Sequence, residues 1–223
     1  MASYESTPLF HGAIVCDLPT SFTNVRNISK AYPIPNHQEV FIAKDGFMSI
    51  IIDIFDRVDE SDDDALTTHL EDVDAKLVEQ EGTRQRTNFT KLPTDIPAYT
   101  LLAKLPPSDP ATGGSSSSSS GGAVDPSEMP DTMVMLTLLR LERENTDMVI
   151  TVNVLNIRSM CAEEDEEERR GRGTEGGDDN DEDKAARQMA KRGKIIGDAA
   201  SHAGRIWESF DIRDWDLFRG PQD

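Results

Sequence analysis

Two carboxylates interrupt the most apolar run of the chain: in IIIDIFD, residues 50–56, Asp53 and Asp56 stand among three isoleucines, a fourth isoleucine and a phenylalanine. As general acid and base, such a pair needs a separation of only about 5–10 Å, the range spanned by glycosidase carboxylates. Enzymes of this size normally surround such a pair with more glycine, histidine and aromatic residues than this stretch offers. The four histidines, His11, His37, His69 and His202, are scattered, and Cys16 and Cys161 form no CxxC or zinc spacing. P-loop, dinucleotide-binding, HExxH and GxSxG signatures are all missing, so the common hydrolytic and redox chemistries lack their local motif. Recognition is the role left for the two acids, which can meet Lys or Arg of a partner. The blander reading is a solvated strand end or an internal salt bridge. Burying an unpaired carboxylate costs several kcal/mol, so Asp53 must be exposed, paired, or at a strand end. A spacing of three puts both acids on one face of a helix but on opposite faces of a regular strand, so a shared role in a strand needs a twist, bulge or strand end.

The elements that must hold these acids follow from hydrophobic period and turn chemistry. Residues 47–59 are dominated by β-branched side chains and read as a strand buried on both faces. Before it, 9–19 reads as a short apolar strand, and 38–46 as a strand with Val40 and Ile42 alternating against polar neighbours and ending in an Asp-Gly turn. After it, Ser61 followed by three aspartates predicts a capped helix over 62–81, closed by Gly82. Strands are expected over 83–91, 97–105, 131–143 and 147–157, the last two joined by a hairpin turn at 144–147. From 184 to 210, Met189, Ile195, Ile196, Ala199, Ala203, Ile206, Trp207 and Phe210 recur at helical spacing, with a break expected at Gly193 or Gly197. Short links make the strands antiparallel, and the order describes a meandering sheet covered by helices.

Composition bounds the rest. With 223 residues, 23 basic against 42 acidic side chains and a formal charge of −19, the chain is repelled by phosphate backbones and anionic lipid surfaces, which excludes direct nucleic-acid or membrane binding from the expected functions. It reads as intracellular, soluble and reduced, without leader or spanning segment; the sequons at Asn27 and Asn88 then carry no weight. Two stretches stand apart: 106–130, rich in Pro, Gly and Ser, is expected to be a flexible loop, and 162–183, with twelve acids against three arginines, a disordered acidic insertion.

Six blocks, taken in order, are similar to one family. PLFHGAIVCDLPTSF, IPNHQEVFI, SIIIDIFDRVD, THLEDV, LLRLERENTDMVITVNV and SFDIRDWDLFRG resemble the Mog-type Ran-interacting proteins, also called Ran guanine nucleotide release factors, across residues 8–220. The departures are mild: His11 replaces a glycine, Asn36 an acid, and Asp56 a glutamate, and the segment between Phe22 and Pro35 is a few residues longer. The resemblance implies a single α+β domain over 1–223, an antiparallel sheet flanked by helices and related to PsbP-like proteins. It further implies binding to the small GTPase Ran, release of the bound guanine nucleotide and support of nuclear protein import, by a non-enzymatic regulator with no cofactor. Asp53, Asp56 and Glu39 would then belong to the Ran-contacting surface of a monomer working in nucleus and cytoplasm. The competing expectation is an acidic interaction or chaperone protein that binds basic partners through 162–183.

Overall fold

In this computed structural model the described residues are 2–28, 33–71, 84–105, 132–155 and 181–219. The central feature is a seven-stranded, wholly antiparallel sheet, built from β3 (Phe22–Asn24), β4 (Gln38–Ala43), β5 (Met48–Asp56), β6 (Gln85–Arg86), β7 (Ala98–Leu105), β8 (Thr132–Leu141) and β9 (Thr146–Val154). Its spatial order is β3-β4-β5-β9-β8-β7-β6. A second sheet of three strands, β1 (Tyr4–Leu9), β2 (Ile14–Pro19) and β10 (Asp211–Ile212), is ordered β1-β2-β10. Three helices accompany them: α1 (Val25–Ile28), α2 (Asp62–Glu71) and α3 (Asp181–Ser209). The expectation of an antiparallel sheet flanked by helices therefore holds, with a second small sheet added to it. No helix among the described residues is long and apolar enough to cross a membrane.

Each face of the large sheet is buried for its own reason. On one face Phe41, Ile50, Ile52, Ile150 and Val152 pack with Leu9, Ile14 and Cys16 of the small sheet and with Ile195, Ala199, Ala203 and Ile206 of α3. The helical spacing of that α3 set is the period the sequence displays, and α3 runs through Gly193 and Gly197 without the expected break. On the other face Ala65, Leu66 and Leu70 of α2 cover Leu101, Val134, Leu136, Leu138 and Val149. Lying between β5 and β8, β9 is buried along its whole length.

Local signals explain most boundaries. Gly46 at φ +79° closes the β4–β5 hairpin, where Asp45 Oδ1 accepts from the Phe47 N–H at 3.0 Å. Ser61 Oγ accepts from the Asp64 N–H at 3.3 Å and caps α2, whose first turn carries Asp62, Asp63 and Asp64. Three expectations need correction. The strand predicted over 9–19 is two strands, because Phe10, His11 and Gly12 all take positive φ and reverse the chain. The strand predicted over 83–91 is only the two residues of β6. In β4 the fully buried set is Glu39, Phe41 and Ala43, while Val40 and Ile42 are half-buried, because the register sets Phe41 opposite Ile50. The end of the predicted helix over 62–81 and both insertions, apart from 181–183 at the start of α3, lie outside the described residues.

Candidate functional site

Register decides what the two acids can do. Asp53 is flanked by Gln38 of β4 and Val149 of β9, on the half-buried face shared with Ile51 and Phe55. It is 8% exposed, and Gln38 Nε2 donates to its Oδ1 at 2.7 Å. Burial raises its pKa, against the Gln38 hydrogen bond and the nearby His37, which lower it. Asp56 ends the strand opposite Thr146, on the other face, exposed. Its carboxylate has no hydrogen-bond or ion-pair partner among the described residues. The two acids thus share an end of β5 but not a face, as the spacing of three requires in a regular strand.

Glu39, one residue beyond Gln38, faces the core. Its Oε1 accepts from the Phe10 N–H at 3.0 Å and its Oε2 from Asn24 Nδ2 at 2.9 Å, with Arg26 Nε at 3.7 Å. The side chain locks the left-handed turn at residues 10–12 onto the edge of the large sheet. With both oxygens engaged and 8% exposed, it is a structural clamp in this conformation.

The connector that follows Asp56 is held by a buried ion network that sequence reading misses. Arg140, 1% exposed, donates through Nη2 to Val58 O at 2.6 Å, through Nη1 to Glu60 O at 2.9 Å and Asp62 Oδ1 at 3.0 Å, and through Nε to Asp147 Oδ1 at 3.2 Å. Asp147, fully buried, also accepts from the Val58 N–H at 3.1 Å and from His69 Nε2 at 2.9 Å. His69 stacks on Phe55, with ring centroids 5.3 Å apart. Burial alone would raise the Asp147 pKa, but the His69 and Val58 hydrogen bonds and the Arg140 charge outweigh it and leave the carboxyl below its usual range. The result is a fixed acidic end of the sheet: Asp56 and Asp59, exposed and without partners among the described residues, then Glu60, Asp63 and Asp64. A single signal was available in the sequence, a charged residue at each side of the 141–146 turn inside otherwise apolar strands.

Beside this end opens a cleft of about 300 Å³, lined by apolar Ile96, Pro97, Leu141 and Trp215 and by Asp95 and Glu144 among its polar groups. Arg140 borders it, with its side chain fully buried and its guanidinium engaged as described. Among the described residues no group of three or more His, Cys, Asp or Glu is placed to hold a metal ion.

The profile of the Ran-interacting Mog1 proteins matches residues 7–155, from the end of β1 through β9, with all three candidate acids, Asp53, Asp56 and Glu39. The chain belongs to the Mog1 family. Among solved structures, this Mog1-family chain is similar to the Ran-binding protein Mog1p of Saccharomyces cerevisiae, with a TM-score of 0.55 and 19% identity over 98% of this chain and 100% of that one. A mutant of protein Mog1 matches alike, with a TM-score of 0.55 and 19% identity over 97% of this chain and 99% of that one. At that identity the likeness carries the fold alone. No curated protein matches the chain at a significant level.

Proposed function

We propose that this Mog1-family chain binds Ran and promotes release of its guanine nucleotide, supporting protein import into the nucleus and so working in both nucleus and cytoplasm. The observation that carries the reading is the family match over residues 7–155, which includes Asp53, Asp56 and the connector behind them. Electrostatics supports it. An unpaired carboxylate at the end of a rigid sheet, brought beside a GTPase's nucleotide site, repels the phosphates and competes for the P-loop lysine that cradles them. Asp56 is the acid suited to that contact, exposed and without a partner among the described residues. Asp53 serves it indirectly, by holding Gln38 and with it the turn at 35–38. Glu39 serves it by fixing the neighbouring edge. Nothing here breaks or forms a covalent bond, so the activity is regulatory and no cofactor enters it. Linkage is reciprocal: whatever factor the chain takes from nucleotide affinity, the nucleotide takes from the chain's affinity for Ran.

The test is the release of a fluorescent guanine nucleotide from purified Ran. The rate should rise with concentration of the chain, and Asp56→Lys should cut the acceleration by about tenfold or more, the scale of reversing a charge at a steered contact. Reversing Asp53 is a poor probe, since a lysine at that buried position disturbs the fold; Asp53→Asn keeps the Gln38 hydrogen bond and should retain acceleration. If the parent chain neither accelerates release nor forms a complex with any nucleotide state of Ran, the reading is wrong.

A further inference from the structure

The geometry points to a contact surface that continues from Asp56 over Glu144 into the cleft beside Trp215, which seats an apolar side chain of the same protein partner with a Lys or Arg flanking it. The inference rests on the Ran reading above and deepens it by naming the anchor the partner must present.

Three observations carry it. The first is continuity. Asp56 pairs in register with Thr146, two residues after Glu144, and the next residue, Arg57, donates its backbone N–H to Asn145 O at 3.0 Å and sets its guanidinium 3.6 Å from Glu142. The end of β5 and the rim of the cleft are thereby parts of one surface. The second is the floor. Ile96, Pro97, Leu141 and half-buried Trp215 leave apolar surface around a volume of about 300 Å³, at the small end of ligand sites, which run to about 300–1,000 Å³. That suits one large side chain. Tryptophan at such a spot is the residue type that most often dominates a protein–protein interface.

The third is charge. Five ionisable residues line the cleft, Asp95, Glu142, Glu144, Arg140 and Arg143, of which Arg140 has a fully buried side chain. Arg140 is fully occupied below by Asp62, Asp147 and two carbonyls. Arg143 lies 3.5 Å from Asp95, a long contact between largely solvated groups that exchanges readily for a partner's cation, and the more buried Arg57 lies 3.6 Å from exposed Glu142. Glu144 is half-buried, and its carboxylate has no hydrogen-bond or ion-pair partner among the described residues. Asp56 and Asp59, exposed and likewise unpaired among the described residues, stand beyond it. The cleft thus presents an apolar floor beneath an acidic rim, complementary to an apolar anchor flanked by a basic residue.

The experiment measures the affinity of the full chain for purified Ran by titration calorimetry, in the nucleotide state that the parent binds, for parent, Glu144→Lys, Trp215→Ala and Asp56→Lys. Thermal unfolding is followed in parallel. Glu144→Lys is expected to weaken binding by about tenfold and Trp215→Ala by about 30-fold, the loss typical of a hot spot. Should Trp215→Ala lose stability by releasing its contact with Phe218, Glu144→Lys decides alone. Both cleft variants binding within twofold of the parent, while Asp56→Lys fails, overturns this inference and leaves the Ran reading intact. A parent that does not bind Ran overturns both.

Discussion

Arg140 can carry a charge into the core only because four acceptors meet it, the carbonyls of Val58 and Glu60 and the carboxylates of Asp62 and Asp147. Removing it strands Asp147 without its counter-charge, so Arg140→Met should cost about 3–5 kcal/mol of stability in urea unfolding, the usual penalty for breaking a buried ion pair. Adding Asp147→Asn to that variant should restore part of the loss, which a double-mutant cycle reads directly. The two buried aspartates have opposite pH signatures. Asp147, with its folded pKa lowered, contributes stability above the unfolded value near about 3.9, and this is lost as pH falls through the lower folded value. Asp53, with its folded pKa raised by burial, behaves in reverse: its contribution is fully present below the unfolded value and is lost as pH rises through the folded one. Asp53→Asn is therefore expected to be more stable than the parent at pH 7, with the gain disappearing below about pH 4, as followed by urea midpoints across that range. That one acid of the 50–56 run would be buried and paired was among the options open from its apolar setting. Which acid, and paired to what, depended on Gln38 arriving from another strand.

At the level of elements, turns and strand ends set the geometry that the acids inherit. The left-handed run at Phe10, His11 and Gly12 persists because Glu39 accepts the Phe10 N–H and the N–H groups of Arg213 and Asp214, just after β10, donate to Ala13 O. Glu39→Ala leaves a buried donor unmet and should destabilise by about 1–3 kcal/mol in chemical denaturation. If Glu39 acts only as this clamp, the variant should keep its affinity for Ran under conditions where it remains folded. Gly46 has open space around the position of a Cβ, so only its φ of +79° opposes substitution. Gly46→Ala should accordingly cost about 1 kcal/mol by the same measurement, from backbone strain alone.

Over the whole molecule, a formal charge of −19 acts on any partner before contact. Association with a basic surface should be fastest at low ionic strength and fall steeply toward 0.15 M salt, where the screening length is about 8 Å; stopped-flow association rates with Ran would measure this. What the sequence determined by itself is what short-range physics encodes. The β-branched run of β5, the Asp-Gly hairpin, the serine cap of α2, the helical spacing of Ile195 to Phe210 and the six family blocks all lie within segments of a few to about thirty residues. Tertiary structure alone decided the rest. Pairing β5 with β9, some ninety residues away, buries Asp147 and brings Arg140 under the connector after Asp56; the return of residues 211–218 to the N-terminal sheet sets Trp215 against Ile96 and Leu141. Burial, ion pairing and the cleft arise between elements distant in the chain, and no local pattern specifies which distant residue will arrive to satisfy a charge or leave it free.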